Sequence, residues 1–332
     1  MDRRCFTHRA LVSLGISWLS PQSLSQTARM PRLGMLFNGS PENNPAVIAV
    51  HRAFERLGYR EGAEIAYESR FAQGQLERLP ALAEDLVAQG VDVIATFGGP
   101  PTSAAVRATH HIPVVFAIVA DPVAVGFVHS LERPDGNATG ITNHDPQQAQ
   151  QQMTLMRMLM PGLQRLAIVS DADIPGADAS GLAPIERGNV AAAKAAGIAP
   201  QVLKLRSPTP DLEGSFAAME TEGAQAVLAL EVPVAIAHRK RIAQLATSRR
   251  LPTLFSAGSS DAGGVLSYGT KVDDTWPRVP VYVDRILKGA KPGDLPVEVI
   301  TTKNLVINLK TAREIGITIP PELAKLATRT VE

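Results

Sequence analysis

The sequence predicts a two-lobed α/β protein, each lobe doubly wound (Rossmann-like) around a mostly parallel sheet with helices on both faces. Three observations lead there. The chain has 332 residues, 45% of them hydrophobic, too many for one ordinary core and enough for two domains of roughly 150 residues each. From Arg32 onward, short apolar runs alternate with segments of helical periodicity, the pattern of parallel sheets buried on both faces. Residues 90–117 are also echoed by 223–257: a glycine, an apolar strand, a proline-containing loop, a helix, Ile-Pro or Leu-Pro, and a strand. With no shorter period recurring, that echo indicates two similar lobes rather than a solenoid.

Taken in order, 32–38 (RLGMLFN) is a short apolar strand, 45–57 an amphipathic helix ending at Gly58, and 65–71 a strand. Leu79, Leu82, Ala83, Leu86 and Val87 mark a helix over 76–89. Residues 91–97 (VDVIATF) form a buried strand, Thr102 is a candidate N-cap, and 103–109 a helix. A strand over 112–119 stops at Asp121-Pro122. A short helix follows, then a strand or crossover at 137–142. The second half repeats the grammar, with helices at 148–160, 185–196, 211–222 and 235–247 and strands at 165–170, 200–206, 226–230 and 252–256. A tail with a helix at 279–287, a strand at 305–309 and a further segment at 310–315 exceeds what the second lobe needs. Shared between lobes, it would create a hinge of several crossovers. The expected division is 31–143 with about 270–298 in one lobe, and 144–269 with about 299–332 in the other.

Composition excludes several function classes. Lys and Arg number 33 against 32 Asp and Glu, so phosphate-driven nucleic-acid binding is not expected. Cys5 is the single cysteine, so neither an intrachain disulfide nor a cysteine-based zinc site can form. Arg3, Arg4 and Arg9 precede the apolar run 10–19 and a small, polar stretch. This is the order of a secretory signal, expected over 1–28. Arg3-Arg4 also suggests the twin-arginine route. Removing residues 1–25 takes away three arginines, one aspartate and the cysteine, turning the formal charge from +1 to −1. The mature protein is therefore expected in the periplasm.

Enzyme signatures are poor: there is no G-x-S-x-G, Walker A loop, H-E-x-x-H or dinucleotide fingerprint. His110-His111 and His238 read as solvated, and His51 has no cysteine or carboxylate cluster near it. Met153, Met156, Met158 and Met160 read as core filling or an interlobe coat rather than copper ligands. No catalytic residue, metal or cofactor is expected. Ligands of open α/β sheets bind beyond the strand carboxyl ends, which singles out Asn38 and Ser40, then Gly99, Thr102 and Ser103 at a helix start suited to an anion. Asp121 could accept a ligand ammonium, and Asp171 and Glu231 hold the equivalent strand-end positions in the second lobe.

Several segments together resemble the bacterial ABC-transporter substrate-binding proteins of the tryptophan/tyrosine-type uptake systems. They include 54–62 (FERLGYREG), 112–116 (IPVVF), 263–269 (GGVLSYG), 282–296 (YVDRILKGAKPGDLP) and, most specifically, 305–321 (LVINLKTAREIGITIPP). The resemblance implies a type I periplasmic-binding-protein fold, its lobes closing over a ligand. It also implies a membrane permease and a cytoplasmic ATPase as partners. The cleft would lie at 38–40, 98–103 and Asp121, faced by Asp171, Glu231 and Ala257. Glu231-Val232-Pro233 stands where the family commonly has Asp-Pro, and 256–260 (SAGSS) replaces a bulkier stretch. The expected function is capture of a small amphipathic ligand, such as an amino acid, by a monomeric receptor. A receptor serving a membrane sensor and a small-molecule enzyme on the same fold remain the alternatives.

Overall fold

The computed structural model describes residues 29–42, 44–256, 263–271 and 274–332. The expected signal over 1–28, Cys5 and Ala257 lie outside the described residues.

The first sheet contains β1 (Arg32–Phe37), β2 (Ala66–Phe71), β3 (Val93–Phe97), β4 (Val114–Val119), β5 (Ala138–Thr142) and the late β11 (Glu298–Val299). Their order is β11-β5-β4-β3-β1-β2, all parallel. Alternate residues of each strand face opposite helix layers. Leu33, Met35, Val93, Ala95 and Val115 pack under α1 (Pro45–Arg56) and α9 (Val279–Leu287). Leu36, Ile94, Val114 and Phe116 pack under α2 (Leu79–Ala88) and α3 (Gly99–Ala108). Phe37, paired with both Phe71 and Phe97, stacks on them at 5.0 and 4.5 Å, a ladder at the strand ends.

The second sheet runs β13-β12-β10-β9-β8-β6-β7. These strands are β6 (Arg165–Asp171), β7 (Ala199–Leu205), β8 (Ala226–Ala229), β9 (Thr253–Phe255), β10 (Leu266–Thr270), β12 (Lys303–Asn308) and β13 (Arg329–Val331). Only β12 against β10 is antiparallel. Around it lie α4 (Gln148–Leu159), α5 (Pro184–Ala195), α6 (Leu212–Thr221), α7 (Pro233–Ala237), α8 (Arg239–Ser248), α10 (Leu309–Ile315) and α11 (Pro321–Leu326). Met153 and Met156 are buried in its core, with Met158 and Met160 packed against it. The chain passes between sheets three times: from β5 to α4, from β10 to α9, and from β11 to β12. No helix of the described residues is long and apolar enough to cross a membrane.

Several local expectations are corrected. Gly98, at φ +97, lets the chain turn directly from β3 into α3, so the helix begins at Gly99 and Thr102 lies inside it rather than capping it. The segment after Asp121-Pro122 is a run of turns, not a helix. The single helix expected over 235–247 is two, divided at His238, whose ring Nε2 lies 3.1 Å from the Pro208 carbonyl.

Candidate ligand-binding site

A cavity of about 180 Å³ lies between the sheets, at the carboxyl ends of β3, β4 and β5 on one side and of β8 and β9 on the other. That is where open α/β sheets place ligands. Both lobes contribute walls: Gly99, Asp121 and Asn143 from the first, and Asn189, Glu231 and Ser256 from the second.

β4 reaches the cavity through an irregularity. Its pairing with β5 shifts register between Ala117 and Val119, and Ile118 between them sits at φ +59. A β-branched residue in the left-handed region is a true outlier, with a cost on the order of 1–3 kcal/mol. The bulge turns Ile118 onto the cavity wall. Beyond it, the Asp121 carboxylate accepts from Ala124 N–H at 2.9 Å, and its other oxygen lies 3.9 Å from His144 Nδ1.

Glu231 follows β8 and accepts from Asn143 Nδ2 at 3.0 Å, a bond across the cleft. Burial pushes its pKa up to about 8, against the opposing pull of Lys303 and the Asn143 bond. Lys303 belongs to the hinge. Its Nζ donates to Thr270 Oγ1 at 2.8 Å and Gln148 Oε1 at 3.1 Å, and lies 3.6 Å from Asp145. One cation thus ties all three crossover segments, and it occupies Asp145, which lines the cavity. Burial lowers the Lys303 pKa, with Asp145 and Glu231 opposing.

Three of the eight residues singled out in the sequence, Gly99, Asp121 and Glu231, meet in this cavity. Ser103 lines a separate cavity of about 450 Å³ with Arg107 and Arg206. Asn38 and Ser40 follow β1, toward the β2 side of the sheet, and line neither. Thr102 is fully buried. Its Oγ1 donates to the Gly98 carbonyl (2.7 Å) and accepts from Thr96 Oγ1 (2.8 Å), so its hydroxyl is committed. Asp171 is also fully buried, and its two oxygens accept from Asp173 N–H at 2.9 Å and Val234 N–H at 3.0 Å. It caps the start of α7 instead of facing the cavity; burial raises its pKa and the two backbone bonds oppose the rise. His51 is half-buried on α1, stacked on Tyr67 at 4.1 Å.

Residues the sequence reading missed are Asn143, Gln152 and Asn189. Asn143 stands just past β5, where the strand-end rule would have found it. Gln152 and Asn189 point inward from helices α4 and α5, and nothing in their local sequence sets them apart from exposed amides.

Two similar sheets, a three-strand hinge and a cavity walled by both lobes define the type I periplasmic-binding-protein fold, a class of two-lobed ligand receptors. The family described as ABC transporter substrate binding protein matches residues 41–331, and the chain belongs to it. A solved conserved domain protein from Vibrio cholerae is 25% identical with a TM-score of 0.80, covering 91% of this chain and 100% of its own. The ABC domain in complex with L-Trp from Streptococcus pneumonia is 24% identical with a TM-score of 0.77, covering 91% and 99%. A tyrosine-binding protein of Clostridioides difficile is 22% identical over 265 residues, 79% of this chain and 74% of that protein.

Proposed function

We propose that the protein captures a small amino-bearing solute of amino-acid size between its lobes, outside the cytoplasm, and hands it unchanged to a membrane permease driven by a separate ATPase. The observation that carries this reading is the cavity walled by strand-end residues of both lobes, with Asn143 of one bonded to Glu231 of the other. A solute touching both walls favours the closed arrangement by its extra contacts there. Family membership supports transport over catalysis. The relatives that bind tyrosine or carry L-Trp support an amino compound as the cargo. In this reading the lobes are 31–143 with 270–298 and 144–269 with 299–332, an export signal precedes them, and the receptor works as a monomer. Site residues are Gly99, Asp121, Asn143, Gln152, Asn189 and Glu231.

Thermal unfolding with a panel of amino acids and amines tests it. A ligand at a hundredfold excess over its Kd stabilises by about 2.7 kcal/mol, an upward Tm shift of several degrees. No shift with any member of the panel would count against the reading.

A further inference from the structure

The hydrogen-bonding capacity of the cavity is one-sided. Three amide oxygens on its wall, Asn143 Oδ1, Gln152 Oε1 and Asn189 Oδ1, are buried without a hydrogen-bond partner. Their residues are 8%, 1% and 5% exposed, so solvent does not reach them freely. The amides cannot simply turn round. Asn143 Nδ2 donates to the Glu231 carboxylate, Gln152 Nε2 to the Tyr268 carbonyl (3.1 Å) and Asn189 Nδ2 to the Ile185 carbonyl (2.8 Å). The Tyr268 and Ile185 carbonyls can only accept, which fixes Gln152 and Asn189; Asn143 keeps its NH2 toward Glu231 when that carboxyl is ionised, the state a bound cation favours.

The charges point the same way. Asp121, Asp145 and Glu231 line the cavity, and no Lys or Arg does among the described residues. Internal segments 257–262 and 272–273 contain no Lys or Arg. Asp145 is answered by Lys303 and Asp121 faces His144, which leaves Glu231 with an amide for its partner. The helix start that would receive an anion is weakened by its own sequence. Pro100 and Pro101 lack N–H groups, and Thr102 N–H is already bonded to the Gly98 carbonyl at 3.2 Å. Ser256 and Gln148 are further polar residues of the wall, Ser256 Oγ accepting from Gln152 Nε2 at 2.9 Å and Gln148 Oε1 from Lys303, while Ile118, Phe127, Ile174 and Pro175 give it an apolar part.

We infer that the site selects a cationic amine and makes no provision for a carboxylate: its ligand class is a small primary amine with an apolar body, not a free amino acid. This rests on the reading of the cavity as the solute site and narrows it. An ammonium brings three donors and no acceptor, matching amide oxygens that lack donors and carboxylates with lone pairs to spare. A carboxylate would bring only acceptors and a like charge to a wall of acceptors and acids.

Calorimetric titration of the full mature chain with matched trios tests it. These are tryptamine, tryptophan and indole-3-propionate; tyramine, tyrosine and 4-hydroxyphenylpropionate; and isoamylamine, leucine and 4-methylpentanoate. The expected result is at least one amine binding tenfold or more tighter than its amino acid, with the matched acid unbound. Asp121→Asn keeps an oxygen for the Ala124 N–H, and Glu231→Gln removes a buried acid, so both variants should fold. Each should weaken that amine at least tenfold and narrow its advantage over the amino acid. Amino acids binding as tightly as their amines, an acid binding, or an amine advantage untouched by both substitutions would overturn the inference. In the first two cases solute capture would stand. No binding by any member of any trio would overturn the inference, and with an unchanged Tm across the wider panel it would overturn solute capture as well.

Discussion

At the residue scale the protein is governed by where it buries charge. Glu231 shows this most sharply: its pKa of about 8 is far above that of an exposed carboxyl because burial removes water from the charged form. Asn143, Lys303, Asp145, Asp121 and His144 are among the polar groups around the same cavity and hinge. The sign of the pH dependence follows. An acid whose pKa is raised by folding makes the unfolded chain bind fewer protons than the native one between about 4.5 and 8, so stability falls as pH rises through that window. Glu231→Gln removes the cost. Its gain in unfolding free energy over the wild type should be small at pH 4.5 and reach its full size by pH 8, as read by urea denaturation at both. An equal gain at the two pH values would show that burial does not burden this carboxyl.

At the element scale, the site is made by departures from regular structure on regular supports. The bulge at Ile118 aims β4 at the cavity. Helix α5 is fixed at its start by Glu186, which accepts from Ala183 N–H at 2.6 Å and from Lys204 at 3.0 Å. One turn on, it presents Asn189 to the cavity. Gly188 lies on the same wall, with nothing within 4 Å of where a Cβ would stand. Gly188→Leu should therefore fold at least as well as the wild type, with up to about 1 kcal/mol gained from helix propensity. It should also fill the cavity and abolish ligand-induced Tm shifts. Retained shifts at normal stability would move the site elsewhere.

Element order was largely legible in the sequence because buried parallel strands read as apolar runs and glycines punctuate the helix ends. What escaped was decided by tertiary geometry. β10, β11, α11 and β13 are short or polar and gain their identity only from neighbours. Thr102 and Asp171 carry the chemistry of ligand contacts but are spent on backbone groups. Gln152 becomes a wall residue only because α4 turns it inward. Strand-end position found Asp121 and Glu231; it cannot tell which end of the sheet the partner lobe covers, and so it also selected Asn38 and Ser40.

For the whole molecule, the three crossovers and Lys303 decide how the lobes are joined. Lys303 is anchored to Thr270, Gln148 and Asp145, one contact set for each strand of the hinge it does not itself occupy. Lys303→Met should lower stability by about 1.5–3 kcal/mol, the range for hydrogen bonds to a charged group. It should also raise the Glu231 pKa further, since Lys303 now opposes that rise. Hydrogen exchange localised to 143–148, 266–271 and 299–305 reads the loosening; unchanged exchange there would exclude Lys303 as the tie.

Closure of both lobes on a basic solute in the cavity at Asn143, Asn189 and Glu231 can be checked by native mass spectrometry of protein purified from its own host, with Gly188→Leu prepared alongside. One small amine should be bound per wild-type chain and none on the variant. An adduct shared by both proteins, an acidic adduct, or a wild type that carries nothing and takes up no amine when supplied would contradict it.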